Sequence, residues 1–489
     1  MNQGETITIS RAEYDELLTY KTKVGRLQDE LKELKRLIFG SKRERFTPQQ
    51  PPEQGTLFDI PEAENASVSK EKITYTRAKT QPKKQPLRTE LPSHLPRREK
   101  IIEPGDKPEG ARKIGEAVTE ILQYEPAELY VERIVRPKFI KDTNNEHTAV
   151  TIAELPSQPI PKGNAGTGLL AHLLISKYVD HLPFYRLRKM FQRQGVDIAE
   201  STINGWFTQT CRLLEPLYES LKNKVLAQDY LMADETPVPV QTKDKPGATH
   251  KGYYWVYYSP LGKLALFDYR KGRGRDGPDT MLQNYSGYLQ TDGYTAYEHL
   301  SNQDHITLLA CMAHGRRYFE KALENDPERA ESALRYYQRL YAIERRAREE
   351  ALDSEAIRSL RQREAMPVLQ KMEAWMKAEL PKVPPQHGIA RAMNYNLNLW
   401  PRLKRYVEDG RLYIDNNLVE NSIRPVALGR KNYLFAGSHK AAQHAAMLYS
   451  LLATCKMNDI EPFQWLRETL SVLPDHPANR LQELLPGQK

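Results

Sequence analysis

Apolar and polar residues change rhythm several times along the chain, and each change marks a different element. From Leu17 the apolar positions Leu17, Tyr20, Val24, Leu27, Leu31, Leu34 and Ile38 advance in alternating steps of three and four among charged neighbours. That heptad predicts a coiled coil of about three repeats, with a single amphipathic helix lying on its own protein as the other reading. From Thr47 to about Pro96 no period survives. Pro, Gln, Lys and Glu dominate, as in a linker, with a basic run from Lys70 to Arg98 that suits either a DNA-tracking arm or a solvated tether. Alternation around Ile121, Leu122, Tyr124, Leu129, Val131 and Ile134 predicts a small β-rich module. A helical period begins at Thr167 and covers LLAHLLISKYV, FYRLRKMFQRQG and STINGWFTQTCRLLEPL, with Gly195 after the second helix and Ser201 as N-cap of the third. This resembles a helix-turn-helix unit made basic by Arg186, Arg188, Lys189 and Arg193, although any three-helix core would share the pattern.

A β-rich block follows. LMADETPVPV gives a short apolar run into Asp234, GYYWVYYSPLGKLALFDYR reads as a hairpin turning at Ser-Pro-Leu-Gly, and a helix is expected near Pro278 to Tyr285. YLQTDGY then predicts a strand ending at Asp292, and ITLLACMAHGRRYF a buried strand passing into a helix. Strand, hairpin, helix, strand, helix, strand is the order of a ribonuclease H-like sheet. Residues from about Arg317 to Arg411 are almost wholly helical, with Leu334, Tyr337 and Tyr341 on one face and Leu369, Met372 and Met376 on another. The expected α/β architecture therefore has a coiled coil (1–45), a basic linker (46–100), a β-rich module (101–160) and a helix-turn-helix-like region (161–225). A ribonuclease H-like core in two parts (226–316 and 412–470) is split by a helical insertion (317–411), and a tail (471–489) follows.

Composition narrows the function. A chain of 489 residues is too long for one core. No run approaches the length of a membrane span, no signal peptide is visible, and the three cysteines Cys211, Cys311 and Cys455 have no framework spacing, which together favour a reduced cytoplasmic setting without membrane attachment. A formal charge of +9 suits a polyanionic partner.

Among 63 acidic residues, context selects three. Asp234 and Asp292 each sit where an apolar strand run turns polar, and Glu420 opens a helix beyond the helical insertion. In a ribonuclease H-like fold the first and fourth strands are neighbours and the later helix packs against them, so the three carboxylates would converge. Three hard oxygen donors suit Mg²⁺ or Mn²⁺, and two such ions activate the attacking oxygen and stabilise the leaving one in a displacement at phosphorus. The stretch LYIDNNLVENSIRPVALGRKNYLFAGS also supplies cations: Arg424, Arg430 and Lys431 would neutralise DNA phosphates or pair with surface acids. Glu420 has a second reading. Asn417 is a good N-cap, Asn417-x-x-Glu420 has capping-box spacing, and Pro425 would stop or kink the helix. Cys311-x-x-His314 is half a zinc site without a second pair of ligands, and reads better as a buried strand cysteine followed by a helix-start histidine; His314 with Arg316 and Arg317 would then support the site from its edge.

ADETPV, TDGYTAY, CMAHGRRYF and DGRLYIDNNLVENSIRPVALGRKNYLFAGS closely resemble the TnpC transposases of the IS-sixty-six type insertion sequences, and the likeness extends to FGSKRERF and LPSHLPR. The resemblance implies a DDE transposase with Asp234, Asp292 and Glu420 in the metal-binding roles. It would act on terminal inverted repeats as a nucleoid-associated homo-oligomer, beside the accessory proteins TnpA and TnpB. In one respect the chain departs from that family. The usual cysteine-rich zinc module has lost every cysteine between EPGDKPEGARKIGEAV and RPKFIKDTNN, so no zinc is expected. The rival reading is a catalytically silent, transposase-derived DNA-binding protein.

Overall fold

The computed structural model describes Leu129, the strand backbones 138–141 and 149–152, and residues 157–161, 163–242 and 248–487. The heptad segment, the basic linker and most of the expected β-rich module lie outside the described residues. Of that module, β1 (Lys138–Lys141) and β2 (Ala149–Ile152) form an antiparallel pair.

Three helices follow: α1 (Thr167–Tyr178), α2 (Phe184–Arg193) and α3 (Glu200–Leu226). Gly195 takes φ +79 just after α2, a backbone state that glycine enters without steric penalty. The third helix begins one residue before Ser201, with Ala199 at the cap position and no side-chain cap, and it runs through Pro216 to Leu226. It extends because its stripe Ile203, Phe207, Cys211, Leu214, Leu217, Leu221 and Val225 is buried along its whole length. Packing of that stripe outweighs the missing proline N–H.

The mixed sheet has β3 (Tyr230–Gln241), β4 (Thr249–Ser259), β5 (Leu264–Arg270), β6 (Gly287–Thr291) and β7 (Ile306–Ala310) in the order β5-β4-β3-β6-β7. The first three strands are antiparallel, and β6 runs parallel to both β3 and β7. The β4–β5 hairpin turns at the expected Ser-Pro-Leu-Gly, where the Ser259 hydroxyl accepts from Gly262 N at 3.0 Å. Between β5 and β6 lies α4 (Asp276–Leu282), and a 3₁₀ helix over Thr295–Asn302 precedes β7, where the expected order has a helix between the last two strands.

After β7 come α5 (Met312–Ala322) and the helical insertion, comprising α6 (Pro327–Glu349), α7 (Ser354–Leu360), a π-helical turn (Arg361–Ala365), α8 (Met366–Glu379) and α9 (Gly388–Lys404). Tyr337, Leu369, Met372 and Met376 are buried, whereas Leu334 and Tyr341 are half-buried. The insertion is not a detached lobe. Helix α9 packs on α5 and β7, and a Cβ at Gly315 of α5 would stand 2.2 Å from the Asn396 side chain.

The chain closes with α10 (Asn417–Tyr433), α11 (His439–Met457) and α12 (Pro462–Val472). Helix α11 covers the β5 edge. Ser450 Oγ accepts from Phe267 N at 2.7 Å and Thr454 Oγ1 accepts from Ala265 N at 3.2 Å. Residues four apart on a helix are about 6 Å apart and alternate strand residues about 6.8 Å, so the two hydroxyls match two successive outward N–H groups. An edge that would otherwise template another strand is thereby satisfied. Helix α12 packs on α1, tying the C-terminal helices to the helical region before the sheet. No helix among the described residues is long and apolar enough to cross a membrane.

Candidate active site

The site is built around an abrupt change of partner along β3. From Tyr230 to Met232 the strand pairs with β6, and from Met232 to Gln241 it pairs with β4, so beyond Met232 only β4 remains. The sequence suggests that the strand ends at Asp234, but it continues to Gln241 because the β4 ladder continues. On the side that β6 vacates, the exposed backbone groups find other partners. Glu235 N donates to Asp234 Oδ1 at 2.8 Å, and Ala233 O accepts from Asn416 Nδ2 at 3.0 Å. Pro237 O accepts from the Arg430 guanidinium, while Pro239 O and Gln241 N pair with Ala436 at 2.9 and 2.8 Å. Pro237 and Pro239 lack an N–H on this same side, so they fit a strand whose ladder has ended there. Helix α10 and the residues after it thus lie along β3 in the place of a strand, which fixes where Glu420 stands.

Met232 lies opposite Gln290, so two residues further on Asp234 and Asp292 fall across from each other, just past the last parallel pair. Asp292 is held in a tight turn: Oδ1 accepts from Tyr294 N at 2.8 Å and its carbonyl accepts from the Tyr395 hydroxyl of α9 at 2.5 Å. Gly293 takes φ +86, and a Cβ there would stand 2.6 Å from Leu399 of α9. Only glycine allows both the turn and the close approach of the insertion.

The segment leading into α10 explains the Asp-Asn-Asn signal differently from a simple cap. Asn416, not Asn417, occupies the N-cap position and is fully buried; its N–H donates to Cys311 Sγ at 3.2 Å, and its side chain reaches Ala233. Asp415 accepts from Asn417 Nδ2 and from the Tyr341 hydroxyl of the insertion, both at 2.9 Å. With the helix starting one residue earlier in the pattern, Glu420 is the fourth helical residue, and its N–H already bonds Asn416 O at 3.3 Å. The capping-box reading is therefore overturned. Nor does Pro425 stop the helix, which continues to Tyr433 while packing along β3.

Glu420 Oε1 is buried and has no hydrogen-bond partner among the described residues, with His314 Nε2 at 3.6 Å; its Oε2 lies 3.6 Å from Arg317 Nη2. Asp234 is the most perturbed acid. Burial first, then the charges of Glu235, Asp292 and Glu420, push its carboxyl up to about 8, against the Glu235 N–H that favours the anion. Burial likewise lowers the His314 pKa, opposed by Asp292 and Glu420. These shifts bring Asp234, Asp292, Glu420 and His314 into one electrostatic unit.

The remaining candidates divide. Arg317 stands at the site, whereas Arg316 pairs with Glu320 on its own helix at 2.8 Å. Arg430 braces the β3 backbone, and Arg424 and Lys431 are exposed without an ion pair among the described residues. Cys311 is a buried thiol pushed up to about 12 by burial, engaged by Asn416 N. Sequence reasoning missed Asn416, Tyr341, Tyr395 and Glu235. Only their neighbourhood to the motifs hinted at them, because their roles depend on contacts across 38 to 183 residues of chain.

The donor set suits a hard divalent cation. Its members are carboxylates, one oxygen is buried without a partner among the described residues, and burial followed by the neighbouring acids holds Asp234 toward its neutral form. Among the described residues no three His, Cys, Asp or Glu side chains already converge on one point that could hold a metal ion. One oxygen of each aspartate is turned to a backbone N–H, which accounts for part of that splay.

Residues 162–444 match the family described as Transposase IS66 family, residues 450–486 the IS66 C-terminal element, and residues 26–99 the Transposase C of IS166 homeodomain. Three relatives come from Sinorhizobium fredii. Uncharacterized protein y4jD is 31% identical over 94% of this chain and 94% of its own length. Uncharacterized protein y4qI is 32% identical over 95% and 89%, and y4hP 32% over 83% and 77%. No solved structure matches the chain. A transposase family together with a homeodomain description implies DNA binding, and on the extent of these matches the chain belongs to the IS66 family of transposases.

Proposed function

We propose that the protein is a DDE-type DNA transposase that cleaves the terminal inverted repeats of an insertion sequence and joins the freed ends to target DNA, on a ribonuclease H-like core interrupted by a helical insertion. The observation that carries the reading is that Asp234 and Asp292 fall across from each other just past the last β3–β6 pair, with the Glu420 charge felt at Asp234. The strand order, with the first and fourth strands adjacent and parallel, supports the ribonuclease H-like assignment.

Asp234, Asp292 and Glu420 would hold Mg²⁺ or Mn²⁺. When bound, two such ions supply activation of an attacking oxygen and stabilisation of the leaving oxygen in an in-line displacement. The protein's own contribution is placement. Asn416 and the β3 backbone fix the start of α10 and hence Glu420, Tyr395 and Gly293 fix Asp292, and Arg317 sets a cation beside Glu420. Exposed Arg424 and Lys431 on α10 extend positive charge away from the carboxylates, as backbone contact with DNA requires.

Incubation of the full chain with linear DNA bearing the element's own ends, with and without Mg²⁺, tests the reading. Mg²⁺-dependent nicks at the ends and strand-transfer products are expected. Salt-sensitive binding with no cleavage under any divalent ion would favour the silent DNA-binding protein instead.

A further inference from the structure

Next to Asp234 stands a fourth acid that the three-carboxylate scheme does not use. The Glu235 side chain is 1% exposed and lies opposite Trp255 across the β3–β4 pair, a position where an apolar residue would pack without electrostatic cost. Its Oε1 accepts from Arg273 Nε at 2.8 Å and from Nη2 of the same guanidinium, while Oε2 is buried without a partner among the described residues. Arg273 comes from the loop Lys271-Gly-Arg-Gly-Arg275 between β5 and α4, a basic glycine-rich turn whose residues are all exposed. The guanidinium carbon sits 4.0 Å from the centre of the Tyr294 ring, and the Tyr294 hydroxyl returns to Arg273 O at 3.0 Å. Tyr294 N is the donor that orients Asp292. Arg273 is thus fixed from below by Glu235 and from the side by Tyr294, within reach of the Asp292 charge, and its side chain remains 45% exposed. No acceptor among the described residues takes its Nη1. An arginine that served only to neutralise Glu235 would have no need of an aromatic seat shared with Asp292.

We propose that Arg273 is a phosphate-binding residue of the reaction site, that Glu235 and Tyr294 are the positioning residues that aim it, and that its ligand is a DNA backbone phosphate lying at the carboxylates. The inference rests on the transposase reading above. A planar guanidinium with one side tied to a carboxylate presents its outer N–H groups in a fixed fork, which suits a phosphate better than a lysine point charge does.

The test measures two things on the same DNA ends: the salt dependence of binding, and single-turnover cleavage with Mg²⁺. Arg273→Gln is expected to reduce the slope of log K against log salt by about 0.9, the loss of one phosphate contact, and to slow cleavage about a hundredfold. Arg273→Lys should keep the slope while cleaving about tenfold slower than wild type, because charge persists and the fork does not. Glu235→Gln should keep the slope and lose cleavage, since the cation remains but is no longer aimed. If Arg273→Gln alone fails to fold, the double variant Glu235→Gln/Arg273→Gln removes the pair together and gives the slope. An unchanged slope without Arg273, or full cleavage in Arg273→Lys, would overturn the proposal. Wild-type protein that binds DNA yet never cleaves it would sink the transposase reading instead, and the slope comparison would still decide whether Arg273 holds a phosphate.

Discussion

Two buried charge clusters in this protein are built on opposite rules. In the insertion, Arg361 at the π-helical turn is 3% exposed and meets Glu344, 6% exposed, through two bonds of 2.8 and 2.7 Å. Its third nitrogen donates to Tyr406 O and Asp409 O, so the pair is charge-balanced and hydrogen-bonded on both sides. At the candidate site, Asp234, Glu235, Asp292 and Glu420 act on one another electrostatically, and two of their buried oxygens have no partner among the described residues. The first cluster holds structure: it ties α6 and the π-helical turn to the backbone at Tyr406 and Asp409. The second gathers like charges, and burial together with those neighbours holds Asp234 toward its neutral form. Perturbed, like-charged groups in a partly open site mark function more often than stability.

Charge removal should therefore have opposite consequences in the two places. The largest effect expected is on chemistry. Asp234→Asn, Asp292→Asn and Glu420→Gln should each reduce end cleavage and joining by roughly a thousandfold or more while DNA binding and folding stay near wild type. Cleavage assays on the element's ends check this, and full activity in either aspartate variant would discard the two-metal scheme.

In the insertion the same kind of change should unfold rather than disarm. Arg361→Met leaves Glu344 buried without its partner, a loss of about 3–5 kcal/mol, which calorimetry should record as a fall in Tm of roughly 10 °C. Adding Glu344→Leu should recover part of it, but not the bonds to Tyr406 and Asp409. A melting temperature that does not move in Arg361→Met would show that the pair is no structural clamp.

A smaller effect separates the two asparagines. Asn416→Ala removes the donor to Ala233 O and should cost about 1–3 kcal/mol with slowed cleavage. Asn417→Ala should stay within about 0.5 kcal/mol, since its side chain only meets Asp415 at the surface. Equal effects at both positions would restore the N-cap reading taken from the sequence.

That contrast shows what was legible beforehand. Strand and helix spans followed from periodicity, since the buried stripes of β3 to β7 and of α8 are local properties of the chain. Asp234 and Asp292 stood out because a polar residue abutting an apolar run is also local. The start of α10 was placed one residue late, because Asn416 and Asn417 have the same capping propensity and only burial against Cys311 and Ala233 distinguishes them. The run of β3 through two prolines was missed for a similar reason. Proline is tolerated there because β6 has already ended, and no feature of TPVPV records that. The Arg361–Glu344 pair was equally hidden, one arginine among many in a helical stretch.

The subtlest consequence is a pH dependence at the candidate site. Asp234 has a folded-state pKa raised from 3.8 to about 8, first by burial and then by its acidic neighbours. Below the unfolded value the carboxyl is neutral in both states and no penalty exists. Between pH 4 and pH 8 the unfolded chain releases this proton while the folded chain keeps it, so the group's contribution to stability falls with rising pH, by at most about 1.4 kcal/mol per pH unit. The fall should level off above pH 8, where both states are ionised. Measured without divalent cations, the melting temperature of the wild type relative to Asp234→Asn should therefore drop from pH 5 to pH 8. Added Mg²⁺ should flatten the difference, because a bound cation favours the ionised carboxylate in the folded state. The same scan on Arg361→Met relative to wild type should show no such Mg²⁺ sensitivity. A wild-type-to-Asp234→Asn difference that is constant across the range, or that grows with pH, would mean that Asp234 is already ionised in the folded protein and that the carboxylates do not repel one another as their placement requires.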